Sequence, residues 1–212
     1  MKILALEFSS PRRSVAIGDG ENAICRSLDG AEGTRGAFDC VHQMLAEAGI
    51  EREQIGCVAV GLGPGSYAGI RSAVALARGW QLARGVTVRG FSSTESLAAE
   101  ARRCGIFGNV SIVVDAQRGE FYLAGYSVSA SGYAEKEPLQ LASLEDVRGR
   151  NEIIVGPEVN QWFPTGHVLF PSASTVLLIA SANRSSAGEV LEPVSLRETN
   201  FVKAPPARRL PV

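Results

Sequence analysis

The feature that most constrains this chain is Gly61-Leu62-Gly63-Pro64-Gly65-Ser66-Tyr67-Ala68-Gly69-Ile70-Arg71, a glycine-rich turn between two apolar stretches. Ile55 to Val60 reads as a short buried strand, and Ser72 to Ala83 lacks Pro and is rich in Ala and Leu. The local order is therefore strand, tight loop, helix. Glycines reach backbone angles closed to other residues, and Ser66 can cap the helix while free amides of its first turn point outward. Such a helix start can hold an anion.

The elements around the loop repeat an order. Lys2 to Phe8, Ser14 to Gly18 and Ala23 to Leu28 are short apolar segments separated by turns, as in an antiparallel meander. Phe38, Val41, Leu45 and Ala48 fall on one face of a helix that Gly49 can close. After the glycine loop and its helix come a strand at Val86 to Val88 and a helix at Ser93 to Arg102. A second meander then follows at Val110 to Asp115, Glu120 to Ser127 and Tyr133 to Leu141. A short helix at Ser143 to Arg148, strands at Glu152 to Val155 and His167 to Phe170, and a helix at Ser172 to Ala187 complete it. The pattern predicts an α/β fold of two duplicated lobes, residues 1–104 and an abbreviated 105–202, with a mobile Pro-rich basic tail at 203–212.

Several chemistries are excluded by what the loop lacks. A phosphate loop of the Walker type needs Lys after its last Gly, where this chain has Ile70. Gly63, Gly65 and Ala68 formally match a dinucleotide fingerprint, but Arg89 stands near the place of the required acid. Ser66 directly follows Gly65, so there is no Gly-x-Ser-x-Gly nucleophile elbow. The glycines either bind a ligand or let the helix pack closely on the sheet. Gly69, Ser72, Ala73, Ala75 and Gly79 keep much of the helix surface small, and Gly79 costs about 1 kcal/mol relative to Ala. Either the sheet or a partner helix approaches there.

Asp115 in Asp115-Ala116-Gln117-Arg118-Gly119-Glu120-Phe121-Tyr122 has two readings. It is the solvated end of a strand entering a hairpin whose Gly119 supplies positive φ. Alternatively, Asp115 and Glu7, each ending the first strand of its half, face one another across a cleft and serve metal and water. His42 and His167 have no companion ligands at metal spacing, so no metal site is expected. Nor is there a nucleophile–base pair, so no catalytic residue is assigned.

At 212 residues and 45% hydrophobic, the chain can bury sizeable cores. Its 21 Lys and Arg nearly balance 22 Asp and Glu, so no global field attracts nucleic acid or an anionic membrane. The nearest approach to a basic cluster is Arg208 and Arg209. Cys25, Cys40, Cys57 and Cys104 are far apart, as buried reduced thiols of a cytoplasmic protein would be. Glu7 ends the first apolar run too early for a signal peptide, and no other run approaches membrane-spanning length.

The residues now quoted resemble the TsaB (YeaZ) family, small bacterial partners in making threonylcarbamoyladenosine on tRNA, classed with the M22 glycoprotease-like proteins. Ile3-Leu4-Ala5-Leu6-Glu7-Phe8-Ser9-Ser10 is similar to the family's Ile-Leu-Ala-Ile-Asp-Thr-Ser-Thr. Gly63 to Arg71 is similar to its Gly-Pro-Gly-Ser-Phe-Thr-Gly-Leu-Arg, and Asp115 to Tyr122 to its Asp-Ala-Arg-x-Gly-Glu-Val-Tyr. Pro193 to Arg197 is similar to its Pro-x-Tyr-Leu-Arg. The match is strong through residue 122 and loose afterwards.

The resemblance implies the actin-like ATPase (ASKHA) fold and a non-catalytic subunit. Its larger paralogue TsaD would hold the metal and transfer the threonylcarbamoyl group, while TsaE would contribute ATPase function. It implies docking of TsaD by Phe38, Val41, His42, Leu45, Ser72, Leu76 and Gly79, a homodimer when the partner is absent, and tRNA contact through the complex. Glu7, Gly63, Gly65, Ser66, Arg71 and Asp115 would form a vestigial nucleotide or anion site, with no cofactor outside the complex and ATP only within it. Glu7 for Asp, Ser195 for Tyr, and Gly156-Pro157-Glu158 for a more glycine-rich turn depart from the family pattern and argue against independent nucleotide binding. The alternatives are an autonomous actin-like ATPase or kinase, carried by Glu7 and Asp115, and an M22-type peptidase.

Overall fold

The computed structural model describes residues 1–20, 22–28, 33–182, 191–194 and 196. The expected tail at 203–212, the end of the last expected helix, and Ser195 and Arg197 lie outside the described residues. Two five-stranded mixed sheets organise the rest. The first holds β1 (Lys2–Glu7), β2 (Arg13–Gly18), β3 (Ile24–Leu28), β4 (Ile55–Gly61) and β5 (Thr87–Phe91). The second holds β6 (Gly108–Asp115), β7 (Glu120–Ser129), β8 (Gly132–Ser143), β9 (Ile153–Gly156) and β10 (His167–Val168).

The sheets run β3-β2-β1-β4-β5 and β10-β9-β6-β7-β8. Numbered within its own half, each has the same order: third, second, first, fourth, fifth. In each, the first three strands are antiparallel neighbours, and the fourth and fifth continue parallel to the first. The duplication expected from element order is thus a duplication of topology, and the fold is the actin-like α/β class.

Strand composition places the cores. β1 is central, and its apolar residues are buried on both faces, as a strand covered from two sides requires. Leu4 and Leu6 join Val58 and Val60 against α1 (Gly33–Ala48) and α2 (Tyr67–Arg84). Ile3 and Ala5 join Cys57 and Ala59 on the opposite face, against α5 (Ala173–Ala182).

The helix after the fifth strand of each half crosses to the other half's sheet. α3 (Ser93–Arg103) follows β5, yet its Leu97 and Ala98 pack on Val110, Ile112 and Ala124 of the second sheet. α5 follows β10, yet its Val176, Ile179 and Ala180 cover the first. Where they cross, the Ser96 and Thr175 hydroxyls meet at 2.6 Å. The other helices of the second half have shrunk. α4 (Leu144–Arg148) has 5 residues where α1 has 16, and a 3-residue 3₁₀ turn at Val159–Gln161 stands where α2 has 18.

Local signals explain the long helices. Ser66 caps α2 by accepting the Gly69 amide, and Gly85 ends it at φ 67°. Gly49, at φ 61°, closes α1 where the spacing places its end. Of the four thiols expected to be buried, Cys40 and Cys57 are, whereas Cys25 on an edge strand and Cys104 at the end of α3 are exposed.

Candidate functional site

The expected anion-site residues gather around the ends of β1, β4 and β6, but they do not all face one space. Glu7 is fully buried. Its carboxylate accepts the Ser9 amide at 2.9 Å and the Ser93 hydroxyl at 2.9 Å, beneath Gly61. Burial pushes its carboxyl above the ordinary range, while the Ser9 side chain and amide and the Ser93 hydroxyl oppose the rise. The Ser93 hydroxyl also accepts the Gly63 amide at 3.1 Å, tying the glycine loop to the start of α3.

The loop's glycines answer to close approach and backbone angle. A Cβ on Gly65 would lie 2.1 Å from the Ser9 carbonyl oxygen, and one on Gly69 would lie 2.1 Å from that of Phe8. Gly63 and Gly65 also have φ of 92° and 146°. The loop therefore seats the first turn of α2 directly on the end of β1. Packing alone accounts for these three glycines.

Gly65, Ser66 and Asp115 line a cleft of about 320 Å³ between the glycine loop and the β6–β7 turn. Asp115 accepts the Gln117 backbone amide at 2.7 Å and its side-chain amide at 2.8 Å. Gln117, Arg118 and Gly119 all have positive φ, so the turn needs more left-handed backbone than the single Gly119 supplies. Arg71 does not join this cleft. Its guanidinium lies 5.3 Å from the centre of the Tyr67 ring and donates to the Tyr67 hydroxyl at 3.3 Å. Among the described residues, no three or more His, Cys, Asp or Glu side chains gather as a metal ion would require.

The expected docking residues come together more completely. Phe38, Val41, His42, Ser72, Leu76 and Gly79 line one groove of about 570 Å³ between α1 and α2. Val41 and Leu76 are buried in its floor, whereas Phe38 is 54% exposed. A Cβ on Gly79 would meet nothing within 4 Å, so that glycine opens onto the groove and not onto the sheet. Leu45 is buried in the core and does not line the groove. Sequence reasoning missed Trp80 and the Arg84–Glu53 ion pair at 3.1 Å, which also border it. The bulky Trp80 beside Gly79 was the available signal.

Comparison with known proteins matches the chain to one group. Residues 35–190 match the family model described as "TsaD: tRNA N6-adenosine threonylcarbamoyltransferase". The Escherichia coli protein named tRNA threonylcarbamoyladenosine biosynthesis protein TsaB is 28% identical, across 98% of this chain and 100% of its own length. The Bacillus subtilis protein of the same name is 28% identical over 69% of this chain and 64% of its own. The solved structure of YeaZ from Pseudomonas aeruginosa has a TM-score of 0.80 at 24% identity, covering 92% of this chain and 99% of that one, and so shares the fold. The chain therefore belongs to the TsaD-type threonylcarbamoyltransferase family, among its TsaB (YeaZ) members.

Proposed function

We propose that the chain is a non-catalytic subunit of the system that makes N6-threonylcarbamoyladenosine in tRNA, and that it docks the catalytic paralogue TsaD through the groove between α1 and α2. The observation that carries this is Gly79, a helix-interior glycine facing open space beside exposed Phe38. A side chain there would occupy the groove, so its absence keeps room for an approaching partner. The names of the curated relatives supply the pathway. The burial of Glu7 beneath Gly61 supports the non-catalytic role, because it removes one of the two carboxylates the ATPase reading needs. TsaE and tRNA would meet the chain through the assembled complex, in the cytoplasm, with ATP used only there. Among the described residues no helix is long and apolar enough to cross a membrane.

Co-expression with TsaD tests the reading. A stable heterodimer is expected, and Gly79→Arg or Ser72→Arg should abolish it while the variant chains stay folded. Failure of the wild-type pair to co-purify overturns the proposal. ATP turnover by the isolated chain that Asp115→Asn reduces would instead favour an autonomous ATPase.

A further inference from the structure

We infer, building on the docking reading above, that TsaD meets the chain with a helix laid along α2, and that this helix carries carboxylates opposite Arg71 and Arg78.

The seam for such a helix comes from spacing. Ala68, Ser72, Ala75, Gly79 and Leu82 recur on α2 at alternating steps of four and three residues, the repeat of helices that pack side by side. None of them is buried, and Leu82 is 91% exposed. All but Leu82 are small, so a second helix can bring its backbone close before side chains collide. Ser72, Ala75 and Gly79 line the groove, and a Cβ on Gly79 would meet nothing within 4 Å. The seam therefore follows the groove and extends past it at both ends.

Charge supplies the chemistry of the partner. Arg71 and Arg78 stand one residue before Ser72 and Gly79, the flanking position from which paired helices make ionic contacts across a seam. Both are exposed. Arg26, Arg84, Arg103 and Arg150 each reach a carboxylate. Arg71 instead donates to Tyr67 and Arg78 to Gln81, and among the described residues neither forms an ion pair. α2 itself holds three arginines and no Asp or Glu. A second copy laid α2 on α2 across a two-fold axis would set arginine against arginine. A helix with carboxylates at the matching flank answers both charges and draws the partners together before contact. The chain's formal charge of −1 offers no such attraction overall, so the steering is local.

The test follows association and dissociation of the two full chains by surface plasmon resonance as salt is raised. Association should slow about tenfold between about 50 and about 500 mM NaCl, with dissociation changing less. Arg71→Glu/Arg78→Glu should slow association about tenfold at low salt and remove its salt dependence, whereas Arg71→Lys/Arg78→Lys should stay within about twofold of wild type. The same reversal at Arg12 and Arg148, exposed arginines outside the groove, should leave the rates near wild type. Circular dichroism checks that each variant is folded. Reversing an acidic residue on the facing helix of TsaD to Arg should restore association with the double-Glu variant. A complex whose association ignores salt, or forms equally fast with the double-Glu variant, overturns this inference and leaves the docking reading standing. A wild-type pair that forms no complex overturns both. A homodimer of the isolated chain that dissociates as salt rises would assign the carboxylates to a second copy, and would overturn the inference as well.

Discussion

Gly61 and the Glu7 carboxylate occupy one space: a Cβ on Gly61 would stand 1.9 Å from Glu7 Oε2. Gly61→Ala should therefore push the carboxylate off the Ser9 amide and the Ser93 hydroxyl, at a cost of about 1–3 kcal/mol. The urea midpoint reads this directly. An unchanged midpoint would mean that the end of β4 can move aside freely.

Glu7 also gives stability a pH dependence. Its carboxyl is raised above the ordinary value of 4.5, so the folded chain keeps this proton to higher pH than the unfolded chain does. In that window the unfolded state binds fewer protons, and stability falls as pH rises. The contribution is complete below about 4.5 and is lost as pH climbs through the raised value. Glu7→Gln should flatten that part of the stability curve. A Gln variant with the wild-type slope would place the titration elsewhere.

Two glycines of α2 should respond oppositely to alanine. Gly69→Ala drives a Cβ into the Phe8 carbonyl oxygen, whereas Gly79→Ala meets only open space. Thermal unfolding should show Gly79→Ala stabilised by about 0.5–1 kcal/mol from helix propensity, and Gly69→Ala destabilised by more than that.

Ser96 joins the crossing helices α3 and α5. Its hydroxyl lies 2.6 Å from that of Thr175 and accepts the Ser172 amide at 3.1 Å, in a fully buried position. Ser96→Ala strands the Ser172 amide, while Thr175 keeps the Ser172 carbonyl at 2.8 Å, and should cost about 1–3 kcal/mol. Hydrogen exchange should quicken first at the start of α5.

The thiols should divide into two classes. Cys25 and Cys104 are exposed and border one cavity with Arg12 and Arg103, whereas Cys40 and Cys57 are buried. Two thiols should react with an aromatic disulfide reagent in the native chain and four in urea. Burial raises the Cys25 and Cys57 thiols, so Cys25 should react more slowly than an ordinary exposed thiol at neutral pH.

Much of this architecture was legible from local pattern. The meanders, the strand–loop–helix at the glycine loop and the shortened second half followed from apolar spacing and turn residues. The Ser66 cap set the start of α2 at Tyr67, as read, whereas the start of α1 drifted: it begins at Gly33, ahead of its first apolar contact residue. Periodicity names the buried face of a helix but not the sheet it covers, so the exchange of α3 and α5 was hidden. The same limit applied to Glu7. Its place at a strand end was clear, but only the approach of Gly61 and Ser93 shows that it points into the interior. Leu45 has the spacing of its groove-lining neighbours, yet it does not border the groove.

The exchange of final helices also bears on modularity. If the chain were cut after Cys104, the first sheet would keep α1 and α2 on one side but lose α5, exposing Ile3, Ala5, Cys57 and Ala59. The remaining fragment would likewise lose α3 from Val110, Ile112 and Ala124. Neither half is a self-sufficient building block. A gene duplication that produced this topology had to yield two copies that complete each other, and modern truncations at the midpoint should give insoluble products on both sides of the cut.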